Sequence, residues 1–203
     1  MTDKAIKAAV RRAIRTGNWM IRSDNEGMSY GGFRWAPVGE WTIAPDWQDT
    51  NECGHGLHGQ SHDASGYGQV GTRLVFCETA GGRTCLVDKV KVQKARILIV
   101  NDLSFSENLS VGGDLDLSGT SITALPENLS VGGDLYLSGT SITALPENLS
   151  VGGSLYLRGT SITALPENLS VGGSLYLRGT SITALPENLS VGGSLYLRGT
   201  SIT

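Results

Sequence analysis

Residues 148–167 read NLSVGGSLYLRGTSITALPE, and this twenty-residue unit governs the chain from Asn108 onward. It runs as NLSVGGDLDLSGTSITALPE from Asn108 and as NLSVGGDLYLSGTSITALPE from Asn128. The quoted form starts at Asn148 and again at Asn168, and NLSVGGSLYLRGTSIT closes the chain from Asn188 to Thr203. A strict short period builds a solenoid, because one unit cannot bury its own apolar side but stacked units can, each leucine on its equivalent in the next coil. Leu155-Tyr156-Leu157 alternates inward, outward, inward, as a strand does. Gly152-Gly153 and Gly159 bracket it with turns. Pro166 cannot donate to a ladder, so the arc at Leu165-Pro166 is expected to be extended and bent.

The spacing Leu155-x-Leu157-x-x-Thr160-x-Ile162-x-x-Leu165-Pro166 resembles the leucine-rich repeat, whose template is L-x-L-x-x-N-x-L-x-x-L-P. The match covers Asn108 to Thr203, and the short unit with Leu-Pro is similar to the bacterial effector subclass. One departure is systematic: Thr120, Thr140, Thr160, Thr180 and Thr200 stand where the template has Asn. A Thr hydroxyl still bonds nearby backbone, with fewer donors than an amide. A second architecture stays open, a two-sheet β-solenoid in which Leu-Ser-Val supplies another strand.

The leucine-rich-repeat resemblance implies that residues flanking and between the strand leucines point to a concave face, in three columns. The first is Asp114, Asp134, Ser154, Ser174, Ser194; the second is Asp116, Tyr136, Tyr156, Tyr176, Tyr196; the third is Ser118, Ser138, Arg158, Arg178, Arg198. The copies differ mainly here, acidic at the start and Tyr/Arg-rich toward the end. Tyr and Arg are enriched at binding hot spots, and stacked Arg side chains repel one another unless an anionic partner relieves them. Tyr136, Tyr156, Tyr176, Tyr196, Arg158, Arg178 and Arg198 are therefore the expected partner-binding residues. The plainer alternative is that Tyr stacks on Tyr to stiffen the sheet while Arg keeps it soluble. Nucleic acid is disfavoured: residues 108–203 set three Arg against seven carboxylates, a net of −4, and a basic footprint is missing. The five Asn-Leu-Ser triplets match a glycosylation acceptor, but the opening MTDKAIKAAVRRAIRTG lacks the apolar run of a signal peptide, so they read as repeat grammar.

The chain has 203 residues and a net charge of −3, room for one small domain (1–100) ahead of the solenoid (101–203). Three cysteines, Cys53, Cys77 and Cys85, with no secretion signal read as reduced thiols in a cytoplasmic protein. No apolar stretch reaches membrane-span length.

All four Trp and all three Phe lie before residue 108. Thr2 or Asp3 can cap an opening helix whose apolar row is Ile6, Val10 and Ile14, and Gly17 ends it. Lys4, Lys7, Arg11, Arg12 and Arg15 make its other faces basic, either a solvated surface or the wall of a groove for an acidic partner. Strand signals follow at Trp19–Ile21, Phe33–Trp35, Trp41–Ile43, Arg73–Phe76 and Lys89–Val100, which makes this an α+β head. Ala95–Val100 is expected to pair with the first repeat strand and close the solenoid's edge.

All three His sit in CGHGLHGQSH. With Cys53 they give Cys53, His55, His58 and His62, N and S ligands of the kind zinc takes in a tetrahedron. The spacing matches no well-known zinc knuckle, and a plain Gly-rich loop is the simpler expectation. His58 as a catalytic or ligand-binding residue, with Asp46 and Glu40 as carboxylates able to join it, is the third. Recognised hydrolase, nucleotide-binding and zinc-protease motifs do not occur.

The stretch from Ile21 to Val100 also resembles an uncharacterised domain of bacteria and their phages that is often fused to repeat arrays. The likeness rests on SYGGFRWAPVGEW, CGHGLHG, RLVF and DKVKVQKARIL. It implies a phage or prophage source and no particular activity. The expectation is a cytoplasmic adaptor or inhibitor that needs no cofactor and engages a host protein, such as a defence component in the bacterial cell, through the Tyr/Arg face. The rival is an enzyme whose head acts on a nucleotide or metal-bound substrate through Cys53–His62. The final unit stops before Ala-Leu-Pro-Glu, leaving Leu195, Leu197 and Ile202 at an open strand edge, so homodimerisation through that coil is expected.

Overall fold

Thr2 has an extended backbone and its hydroxyl accepts from the Ala5 amide at 3.4 Å, so the helix starts where an N-cap is available. The computed structural model, which describes residues 1–28, 33–52, 55–62, 71–86, 89–104, 106 and 108–202, gives α1 as Asp3–Thr16, ended by Gly17 at φ 69°. Ala9, Val10 and Ala13 are its buried residues, while Ile6 and Ile14 pack at the margin.

The head sheet is antiparallel. Its strands are β1 (Trp19–Asp24), β2 (Trp41–Ile43), β3 (Leu57–Gly59), β4 (Arg73–Cys85) and β5 (Val90–Val100), ordered β1-β4-β5-β2 with β3 also on β5. Period-two alternation splits the apolar side chains. Trp19, Ile21, Leu74 and Phe76 join the core beneath α1, and Met20, Val75, Cys77, Val92 and Ile97 form a second cluster with Trp35 and Leu57. The segment expected as a strand at Phe33–Trp35 contributes only an isolated bridge, Met28 to Arg34.

From Ser110 the chain is a β-solenoid with two parallel sheets, so the second strand is present. One sheet stacks the Ser-Val pairs, β6 (Ser110–Val111), β8 (Ser130–Val131), β10 (Ser150–Val151), β12 (Ser170–Val171) and β14 (Ser190–Val191). The other stacks β7 (Leu115–Asp116), β9 (Leu135–Tyr136), β11 (Leu155–Tyr156), β13 (Leu175–Tyr176) and β15 (Leu195–Tyr196). Register is one full unit per coil, with Leu155 opposite Leu175 and Tyr156 opposite Tyr176. Leu155, Leu157 and Ile162 are wholly buried between neighbours, worth about 2 kcal/mol each. Every Thr expected in place of the template Asn donates its hydroxyl to the Leu carbonyl three residues earlier, at 2.7–2.8 Å. The substitution thus keeps a buried turn satisfied within its own coil.

One pairing differs from expectation. Ala95–Val100 does not pair with β7: β4 runs along one side of this segment as far as Val100, and β2 takes Ala95 and Arg96 on the other. The first coil is met by connecting segments. The Gln60 side chain donates to the Asp114 carbonyl, the Gly112 amide to His62, the Ser121 amide to Thr72, and Leu103 and Asn101 bond Ala124 and Thr123. One apolar core runs unbroken from α1 through Phe76, Leu98 and Leu109 to Ile182.

Candidate partner-binding face

The coil repeat dictates the ladder of rings. Tyr136, Tyr156, Tyr176 and Tyr196 stack at centroid distances of 4.5, 4.4 and 4.4 Å, with planes within 8° of parallel. Strand spacing sets that distance. The ring faces therefore cover one another, and the column presents ring edges and hydroxyls. Tyr136 donates its hydroxyl to Asp134 at 2.9 Å. Burial, and after it this bond to a carboxylate, raises its phenol well above the ordinary value. Desolvation and the flanking phenols of Tyr156 and Tyr196 raise Tyr176 as well, so both hydroxyls stay protonated and uncharged near neutrality.

The first column is used up internally. Asp114 accepts the Asp134 amide, Asp134 the Ser154 amide, Ser154 the Ser174 amide, and Ser174 the Ser194 amide, at 2.6–3.0 Å. These side chains join coil to coil and are not free to recognise a partner. An exposed Asn ladder does the same from Asn148 to Asn128 to Asn108, which gives the Asn-Leu-Ser triplets a structural role.

The third column is different. Arg158, Arg178 and Arg198 are exposed, and no carboxylate among the described residues pairs with them. Coils roughly 4.8 Å apart leave adjacent guanidiniums repelling by about 1 kcal/mol even in water. Tyr ladder and Arg column lie two residues apart on the same rim, with neutral donors beside unneutralised cations.

The His segment is strand rather than loop over Leu57–Gly59, where His58 faces Lys91 across the ladder. A Cβ on Gly59 would lie 2.8 Å from the Ile21 carbonyl oxygen, so this glycine permits close strand contact. His55 sits 3.6 Å from Asp46. His62 stands against the Trp19 ring at 6.0 Å and bonds Ser61 at 3.2 Å. His58 Nε2 is enclosed, with no hydrogen-bond partner among the described residues. Burial first, then Lys89, Arg22 and Lys91, lower its pKa to about 4, against a smaller opposing effect of Asp46. Among the described residues no three His, Cys, Asp or Glu side chains converge as a metal group; Cys53 lies outside those residues. Asp46 thus pairs with His55 and acts on His58 only as a weaker charge effect, while Glu40 precedes β2.

What sequence reasoning missed is the joint at Gln60 and Ser61. Both are fully buried, and Ser61 donates to the Trp19 carbonyl. Two polar residues at the end of a Gly/His-rich run gave no signal for this.

No family model matches the chain, and neither the curated proteins nor the solved structures contain a match. No helix among the described residues is long and apolar enough to cross a membrane.

Proposed function

We propose that this chain is a protein-binding adaptor or inhibitor whose solenoid engages an anionic protein surface through Tyr136, Tyr156, Tyr176, Tyr196, Arg158, Arg178 and Arg198. The observation that carries the reading is the contrast between columns: Asp/Ser is consumed by coil-to-coil bonds, while the three exposed Arg have no carboxylate partner among the described residues. A partner carboxylate spanning two coils would remove that repulsion and accept from a Tyr hydroxyl at once.

The finer parts of the proposal rest on resemblance. Membership of the short bacterial leucine-rich repeats is supported by the Leu-x-Leu to Leu-Pro spacing, and a phage or prophage source with a bacterial host protein as target by the head motifs. Self-association belongs to the same reading: Leu195 and Tyr196 are exposed on β15, where a second copy's coil can stack. A cytoplasmic setting suits the buried Cys77, whose thiol burial pushes up to about 12 and keeps unreactive.

The enzyme reading retains one specific support, the enclosed, neutral His58. The two readings separate by mutation. Partner binding lost in Tyr156→Ala or Arg178→Ala and kept in His58→Ala supports the adaptor; the opposite pattern, or stoichiometric bound metal, supports the enzyme.

A further inference from the structure

A second surface lies on the head, where α1 covers only part of its side of the sheet. Alternation along β2 turns Trp41 and Ile43 to that side and buries Thr42 on the other. Their cross-strand partners on β5 are Arg96 and Lys94, whose cationic groups sit 4.9 and 5.6 Å from the Trp41 ring. The helix borders this strip: Arg12 and Arg96 share the Glu78 carboxylate. Ala5 and Ala8, both exposed, lie on the same helical face as Arg12. Met1 reaches Gly39 in the turn before β2, beside Val38.

Of the six large apolar side chains exposed among the described residues, Trp41 (38%) and Ile43 (63%) lie on this ledge, and Val38 (50%) and Met1 (57%) stand at the turn that leads into it. Three cations and one carboxylate share it, leaving an excess positive charge of about two. Glu40, also exposed, sits in the turn before β2, and counting it still leaves a positive excess of about one.

We propose that the ledge docks an acidic amphipathic α-helix of a partner protein. The helix lies beside α1, its apolar stripe on Val38, Trp41 and Ile43 and its carboxylates against Lys94, Arg96 and Arg12. A helix fits because a sheet face is covered by helices in a second layer, and Ala5 and Ala8 permit an axis separation of about 8–10 Å. Strand addition fits less well: β2 spans three residues, Trp41–Ile43, and offers only a short edge. The acidic sign follows from the charge excess. This site is independent of the Tyr/Arg face.

The test is titration of the isotope-labelled full chain, followed by amide and indole resonances. The probes are a synthetic helical peptide with a Leu stripe flanked by Glu, the same peptide with Lys for Glu, and vesicles of anionic phospholipid. The Glu peptide should shift Trp41, Ile43 and Lys94 saturably. Trp41→Ser with Ile43→Ser should weaken it at least tenfold. Lys94→Glu, which also removes a cation from above the Trp41 ring, should weaken the Glu peptide several-fold and favour the Lys peptide. Variants of the Tyr ladder should leave it unchanged. Equal response to both peptides, shifts elsewhere, no response, or capture by the vesicles instead would overturn the proposal.

Discussion

Replacing Gly152 by alanine probes the stacking of coils directly. A Cβ there would lie 2.3 Å from the Gly132 carbonyl oxygen and 3.1 Å from its carbon. That neighbour is backbone and cannot swing aside, so the coils must part by roughly 1 Å to restore ordinary contact. Overpacking of this kind costs about 1–3 kcal/mol. The retreat also stretches the bonds from the Gly152 amide to Val131 and the Gly153 amide to Gly133, now 2.8 and 2.9 Å, at about 1 kcal/mol each. The expected loss is about 3–5 kcal/mol. Gly179 supplies the internal control. It has φ 69° with nothing near its virtual Cβ, so alanine there meets only the left-handed backbone penalty of about 1–2 kcal/mol. Urea unfolding followed by far-ultraviolet circular dichroism measures both, and because each coil holds only its neighbours, a cost at one joint registers in the whole array. If Gly152→Ala is no more damaging than Gly179→Ala, close apposition of Gly-Gly corners is not what sets the coil spacing.

Three further outcomes are expected. Asp134→Ala removes the acceptor of both the Ser154 amide and the Tyr136 hydroxyl and should cost about 2–3 kcal/mol. Asp134→Ser should cost less than half of that, since Ser154 already serves Ser174; equal losses in thermal unfolding would contradict the ladder. His58 has a folded pKa of about 4 against 6.5 unfolded. Between those values the unfolded chain binds more protons, so stability falls as pH drops from 6.5 to 4, by about 1–2 kcal/mol once solvent screening is allowed for. His58→Gln should flatten that window in denaturation curves; an unchanged slope would place the titration elsewhere. Leu195→Glu should reduce any concentration-dependent association in sedimentation equilibrium, and a wild-type chain monomeric at high micromolar concentration would remove the self-association proposal.

The solenoid was legible because period is a one-dimensional signal: Leu155, Leu157 and Ile162 recur at twenty residues and can only be buried by stacking. The helix was legible through Thr2 and Gly17, which act locally. The Ser-Val strand was harder, since two residues with a single apolar member do not separate a strand from a bend until Val131 meets Val151 across the ladder. The first column could not be read at all. Asp134 looks like a surface charge in sequence, and its partner is an amide twenty residues away. The His segment misled for a related reason: Gly56 and Gly59 suggest a loop, yet Gly59 is where two strands press together, and the edge of β5 that recruits Leu57–Gly59 lies more than thirty residues downstream. The ledge at Trp41 and Ile43 was half visible, as a strand and a basic helix; their juxtaposition required the register of β2 with β5.

We propose above all that the Tyr/Arg face binds a protein. The most direct measurement is a pull-down from bacterial lysate with the intact chain beside a variant carrying serine at Tyr136, Tyr156, Tyr176 and Tyr196, its fold checked by circular dichroism. A stoichiometric partner should be held by the intact chain at low salt, weakened as salt rises, and lost from the variant. A partner held equally by both chains would contradict it.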